Sequence, residues 1–135
     1  MVSELNLNKP GKSRIPGFTL IELLVVLAII ALLASLALPR YFNSIDNAKE
    51  TVLLDNLRVT RETIDKFYGD TGHYPATLEE LVEKKYLRAL PLDPIVDSTT
   101  AWVLVPPEDP AQGGVYDLKS SAPGNNRDGK PFSEL

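Results

Sequence analysis

The stretch Gly17–Glu22, which reads GFTLIE, decides how this chain is organised, because it opens an apolar run that extends over Phe18–Leu38. Only Thr19, Glu22 and Ser35 interrupt this run with polar side chains. About 20 apolar residues are enough for a helix to cross a bilayer. A carboxylate inside such a helix costs several kcal/mol. We therefore expect Glu22 to need a partner, and the run itself suggests none.

Basic side chains are concentrated before the apolar run. Lys9, Lys12 and Arg14 precede it, whereas Arg40 stands alone just after it. Basic residues flanking a membrane span favour the cytoplasmic side. The sequence therefore predicts a single-pass protein with a cytoplasmic N-terminus and residues 40–135 on the opposite side of the membrane.

The basic leader, the Gly17–Phe18 junction and a glutamate shortly after it resemble the class III signal of type IV pilins and type II secretion pseudopilins. The resemblance implies that a prepilin peptidase removes residues 1–17 and methylates the new amino terminus on Phe18. It also implies that Glu22 meets the amino-terminal charge of a neighbouring subunit during assembly, in keeping with the tendency of a lone charge in hydrocarbon to pair.

Two simpler interpretations of this segment remain open. An ordinary secretory signal peptide also has a basic start and an apolar core, but its core is usually shorter and precedes a small-residue cleavage site. A plain membrane anchor would have the observed length, but it gives no reason for the position of Glu22.

Beyond Pro39 the sequence predicts that the helix continues as an amphipathic one. Apolar residues recur at helical spacing while charged residues fill the positions between them. The predicted buried stripe comprises Ile45, Ala48, Val52, Leu53, Leu57, Thr60, Ile64 and Phe67. Gly69 and Gly72 are expected to end the helix. Residues 18–39 then form a membrane-spanning assembly helix, and residues 40–135 a globular head that includes the second half of the long helix.

The remaining sequence of the head predicts short helices and strands. Thr77 followed by Glu80 is a capping box that opens a short helix. The segments 102–105 and 115–118 alternate in the manner of strands, with a loop rich in proline and glycine between them. The expected fold class is α+β: a long N-terminal helix packed on a small head with a short helix and an antiparallel β-hairpin.

Several later motifs resemble the major pseudopilin of type II secretion systems. They are Gly72-His73-Tyr74-Pro75, Thr77-Leu78-Glu79-Glu80-Leu81, Leu90-Pro91 with Asp93-Pro94, and Val115-Tyr116-Asp117-Leu118. The chain has no cysteine, so it cannot close the C-terminal disulfide loop of many type IV pilins. The resemblance implies a subunit that polymerises into a periplasmic pseudopilus, with the prepilin peptidase, minor pseudopilins and an inner-membrane assembly platform as partners.

The resemblance also raises calcium as a cofactor, because the final loop of the family binds this ion. The corresponding ligands here would be the Leu118 carbonyl, Ser121, Asn125 and Asp128. Calcium prefers six to eight oxygen ligands, several of them carboxylates, and this set holds one carboxylate. We therefore favour a solvated, turn-rich tail from Ser120 onwards, with no cofactor.

Composition argues against several other functions. Of 14 Lys+Arg and 18 Asp+Glu, three and one precede Phe18, which leaves 11 basic and 17 acidic side chains. Such an acidic remainder lacks the basic surface that nucleic-acid binding needs. His73 is the only histidine, and no phosphate-binding glycine loop is present, so we expect no enzyme. A type IV pilin or minor pilin for adhesion, motility or DNA uptake, and a membrane-anchored binding module, remain as alternatives.

Overall fold

The computed structural model describes Gly11 and residues 15–135, so most of the predicted leader lies outside the described residues. The described residues divide into two units, the first ending at Pro39 and the second spanning residues 40–135. The α+β prediction is confirmed. In chain order the elements are helix α1 (Leu20–Thr71), helix α2 (Leu78–Glu83), strand β1 (Val103–Val105), a 3-10 turn (Pro110–Gln112), strand β2 (Asp117–Lys119) and a second 3-10 turn (Phe132–Glu134).

The first unit contains the apolar half of α1. Its large side chains are exposed, including Leu20, Leu24 and Leu36. Within the described residues, α1 is the one helix that is long and apolar enough to cross a membrane, and none of its apolar window is buried. Helix α1 continues through Pro39, whose nitrogen has no hydrogen to donate.

In the second unit, α1 buries the predicted stripe in part. Leu53, Leu57, Thr60, Ile64 and Phe67 are buried, as predicted. Ala48 and Val52 are exposed, so the prediction was wrong for these two residues.

The buried position that continues the stripe is Glu50, three residues before Leu53. The sequence pattern had indicated the polar face for Glu50. The glutamate is buried because its carboxylate binds Arg127, which lies 77 residues away along the chain.

Helix α1 ends at Thr71 because Gly72 adopts φ +79°, a left-handed conformation that glycine accepts without strain. The Gly72 N–H donates to the Tyr68 carbonyl at 2.8 Å, which satisfies one of the last carbonyls of the helix. Of the two glycines expected to stop the helix, Gly72 does so and Gly69 lies inside it.

The capping box at the start of α2 is confirmed with one difference. The Glu80 N–H donates to Thr77 Oγ1 at 3.3 Å, as expected. The Glu80 carboxylate accepts from the Ala76 N–H at 2.7 Å rather than from Thr77. This bond is the main reason why the pKa of Glu80 lies below its ordinary value, and Lys84 adds to the effect. Leu78 and Leu81 bury the apolar face of α2 in the core.

Strands β1 and β2 pair antiparallel, with Leu104 opposite Leu118. The second strand begins at Asp117, two residues later than predicted. The reason is a competing partner: the N–H groups of Gly114 and Val115 both donate to the Pro75 carbonyl. Gly113 permits this approach, since a Cβ there would lie 2.2 Å from the Tyr74 carbonyl oxygen.

The segment after β2 is irregular, as predicted, but it is not a solvated tail throughout. Ser120, Ala122 and Phe132 are buried, and Ala122 and Phe132 belong to the hydrophobic core. The favoured interpretation of a solvated tail was therefore wrong for these residues. Between them, an exposed turn surrounds Gly129.

Asp93 is fully buried and fixes a turn. Its Oδ1 accepts from the Ile95 N–H at 3.0 Å, and its Oδ2 accepts from the Ser120 hydroxyl. The backbone of Asp93 also forms an antiparallel bridge with Ser98. The carboxylate thus ties the turn to the segment that follows β2.

We predict that Asp93→Ala destabilises the head, because it leaves the Ser120 hydroxyl and the Ile95 N–H without their acceptor. An unsatisfied buried group costs about 1–3 kcal/mol. Urea unfolding of the full-length protein in detergent, followed by the fluorescence of the single tryptophan Trp102, measures the loss. Asp97→Asn, an exposed change in the same turn, is the control. Equal unfolding midpoints for the two variants would contradict the prediction.

Candidate functional site

The candidate site lies at the N-terminal end of α1. Gly17 and Phe18 precede the helix in exposed backbone, and Phe18 is 88% exposed. An alanine-sized side chain at Gly17 would meet nothing within 4 Å. The predicted cleavage junction is therefore a protruding segment, and the fold itself places no demand on the glycine.

Thr19 and Glu22 form a reciprocal capping box at the first turn of α1. The Thr19 N–H donates to Glu22 Oε2 at 3.3 Å, and the Glu22 N–H donates to Thr19 Oγ1 at 3.2 Å. Two N–H groups that the helix cannot satisfy internally are thereby paired. The carboxylate also lies at the positive end of the helix dipole.

This capping box corrects the expectation that the apolar run offers Glu22 no partner. The signal was present in the sequence, since Thr19-x-x-Glu22 has the same pattern as Thr77-x-x-Glu80. The partner is a neutral N–H group, however, so the charge of Glu22 is not neutralised. None of the ion pairs found among residues 15–135 includes Glu22.

A shallow apolar groove includes Glu22 in its lining. Its other lining residues are Phe18, Ile21, Val25 and Val26. All five residues are exposed, so the groove and Glu22 are open to contact with another molecule.

Of the four residues predicted as calcium ligands, two have other partners in the structure and two are exposed. The Leu118 carbonyl accepts from Arg61 Nη2 at 3.0 Å. Asn125 forms an isolated antiparallel bridge with Pro131. Ser121 and Asp128 are exposed. Among the described residues, no group of three or more His, Cys, Asp or Glu side chains could hold a metal ion.

The sequence pattern gave no indication of two arginine contacts in this part of the head. Arg61 lies on α1 and contacts β2, and Arg127 lies in the final segment and contacts Glu50 on α1. Both arginines occur among other polar residues, and their contacts join residues more than 50 positions apart.

The first comparison with known proteins concerns the N-terminal segment. Residues 12–38 match the family model described as the prokaryotic N-terminal methylation motif. This match covers the Gly17–Phe18 junction, the Thr19–Glu22 capping box and the apolar run.

Curated relatives extend the similarity to the head. The type II secretion system core protein G of Escherichia coli strain K12 is 33% identical over an alignment of 123 positions that covers 79% of this chain and 81% of that protein. The core protein G of Pectobacterium carotovorum is 31% identical over an alignment of 145 positions that covers 94% of this chain and 86% of that protein.

A pilus protein is similar over a shorter stretch. The fimbrial protein EcpC of Eikenella corrodens is 37% identical over 60 residues, covering 44% of this chain and 39% of that protein. No solved structure matches the chain. Because the core G proteins match over most of their own length, this chain belongs to the type II secretion system core protein G family, the major pseudopilins.

Proposed function

We propose that the protein is the structural subunit of a periplasmic pseudopilus that drives type II protein secretion. The observation that carries this proposal is the similarity to core protein G over most of both chains, head included. A role as a filament subunit requires no catalytic group in the head. It requires a helix that can leave the membrane and pack against copies of itself.

The proposed topology follows from α1 and the charges around it. Residues 1–17 form a cytoplasmic leader, residues 18–39 the span in the inner membrane, and residues 40–135 the periplasmic head. The exposed apolar side chains of the first unit support this assignment, since they are suited to contact lipid or neighbouring helices.

In assembly, the Glu22 carboxylate pairs with the methylated amino group of Phe18 on an adjacent subunit. The capping box supports this step because it uses Glu22 Oε2 and the Thr19 backbone, neither of which is lost on cleavage after Gly17. The box holds the carboxylate at the helix end, where the Glu22 side chain is exposed to a neighbouring subunit.

The partners in this proposal are the prepilin peptidase, which processes the precursor, the minor pseudopilins, and the inner-membrane assembly platform. A type IV pilin is the second candidate in the same class, and the match to a fimbrial protein favours it. That match covers less than half of either chain, so the pseudopilus proposal has the wider support.

Deletion of the gene and its complementation test the function. We expect exoproteins to accumulate in the periplasm of the deletion strain and secretion to return with the parent gene. Intact secretion together with loss of surface fibres, adhesion or twitching would favour the pilin instead. Intact secretion with intact fibres would favour a membrane-anchored binding module.

For processing, we predict that Gly17→Leu blocks cleavage almost completely. A Cβ at this position meets no atoms of the fold, so any loss of processing reflects recognition by the peptidase rather than misfolding. Mass spectrometry of membrane-extracted protein should detect an intact precursor, whereas the parent should begin at methylated Phe18.

The chain offers a matched control in Gly11, a leader glycine at which an added Cβ would also meet nothing within 4 Å. Gly11→Leu should be cleaved normally, and Phe18→Leu should be cleaved at the same bond. A parent chain that retained Met1 in cells with an active peptidase would contradict the proposed processing.

A further inference from the structure

The guanidinium of Arg61 joins three parts of the head. Its Nε donates to Asp117 Oδ1 at 2.7 Å, and its Nη2 donates to the backbone oxygens of Leu118 at 3.0 Å and Leu135 at 2.8 Å. Arg61 itself belongs to α1. One cationic group therefore connects the long helix, strand β2 and the last residue of the sequence.

A second arginine ties the final segment to α1. The Glu50 carboxylate accepts from the backbone N–H of Arg127 at 2.9 Å and from its Nε at 3.2 Å. The Glu50 side chain is 11% exposed, so this pair is shielded from solvent on the glutamate side. Glu50 precedes Arg61 on α1, and its pairing with Arg127 anchors the turn around Asp128.

These contacts do not fit a calcium site built from the predicted ligands. The Leu118 carbonyl already accepts from a guanidinium, and a permanent positive charge at that distance repels a divalent cation. The remaining set contributes one carboxylate, Asp128, which is exposed and closely followed by Lys130. Calcium requires six to eight oxygens with several carboxylates among them.

The turn that contains Asp128 is also closed without a metal. The side-chain oxygen of Asn126 accepts from the N–H groups of Asp128 at 3.0 Å and Lys130 at 2.9 Å. The Asn126 N–H donates to the Lys130 carbonyl at 2.8 Å. An amide side chain thus organises this turn.

We propose that the segment Leu118–Leu135 is held on α1 by Arg61 and Arg127 in place of a bound calcium ion. Arginine suits this role because its planar group carries a permanent charge and several donors in fixed directions. The stability of the head is then independent of free calcium. This proposal concerns the fold of the head and stands whether or not the protein assembles into a pseudopilus.

The first test uses the full-length parent protein in detergent, with thermal unfolding followed by Trp102 fluorescence. We expect the same Tm in excess EGTA and in millimolar calcium chloride. A site saturated with calcium would raise the Tm by about 10 °C or more in a domain of this size. A Tm that falls in EGTA and returns with calcium would overturn the proposal.

The second test removes the guanidinium. Arg61→Met keeps an apolar side chain of similar length and should lower the Tm by about 5–15 °C, because two backbone oxygens and the Asp117 carboxylate lose a charged donor. Arg61→Lys should lower it less, since an ammonium retains the charge but cannot reproduce the fork. The lysine variant also provides the measurement if the methionine variant does not fold.

Arg58 is the matched control, about one helical turn earlier on α1. It pairs with Asp55 and Glu62 at the surface, and its side chain is 60% exposed. Exposed pairs of this kind contribute little to stability, so Arg58→Met should leave the Tm nearly unchanged. A Tm loss in Arg61→Met and Arg61→Lys no larger than in Arg58→Met would overturn the proposal.

Discussion

Glu22→Ala will leave insertion and leader cleavage intact but will abolish entry into filaments. The substitution removes a charge that is costly in the membrane, so the variant should be at least as stable as the parent in the bilayer. It also removes the partner proposed for the Phe18 amino group of the next subunit. In the proposed filament, two adjacent apolar helices then lose the charge pair proposed to set their axial register. Cross-linking of membrane fractions measures the loss of filaments, and exoprotein release measures the accompanying loss of secretion.

Ser35→Ala is the matched control for Glu22→Ala, because Ser35 is another polar residue in the same apolar run. Its hydroxyl donates to the Leu32 carbonyl at 2.7 Å within the helix, so we expect normal filaments. Thr19→Ala tests the capping box separately, since it retains the carboxylate but removes the hydroxyl that accepts from the Glu22 N–H. Efficient assembly of Glu22→Ala would refute the pairing mechanism and favour the anchored module.

Phe67→Ala will cause the largest loss of stability in the head. Phe67 is fully buried and packs edge-to-face against Tyr86 and His73, with ring centroids 5.2 and 5.5 Å away. Removing a buried phenyl ring costs about 3–5 kcal/mol. A domain of this size is stable by only about 5–15 kcal/mol, so the unfolding midpoint in urea should fall steeply.

The adjacent aromatic residue provides the control for Phe67→Ala. Tyr68 is 36% exposed and stacks on Tyr74 at 4.5 Å between ring centroids. Tyr68→Ala should therefore lose about 0.5–1.5 kcal/mol for the aromatic pair and retain a cooperative transition. Similar losses for the two variants would mean that the apolar stripe of α1 is not the centre of the core.

The sequence by itself determined the features that depend on neighbours along the chain. Three such features are the membrane-length apolar run, the helix end at Gly72 and the capping box at Thr77. Each depends on residues close together in the sequence, so its pattern can be recognised without the tertiary structure. The capping box at Thr19 has the same local pattern and could be recognised in the same way, since Thr19 and Glu22 are three residues apart.

Only the tertiary structure decided which polar residues are buried and what they bind. Glu50 and Arg127 are 77 positions apart, and Arg61 reaches Asp117 and Leu135 across 56 and 74 positions. Strand β2 starts late because the N–H groups of Gly114 and Val115 bind the carbonyl of Pro75, far earlier in the chain. No local preference encodes such contacts. They form because the folded chain brings donors and acceptors together that are far apart in the sequence.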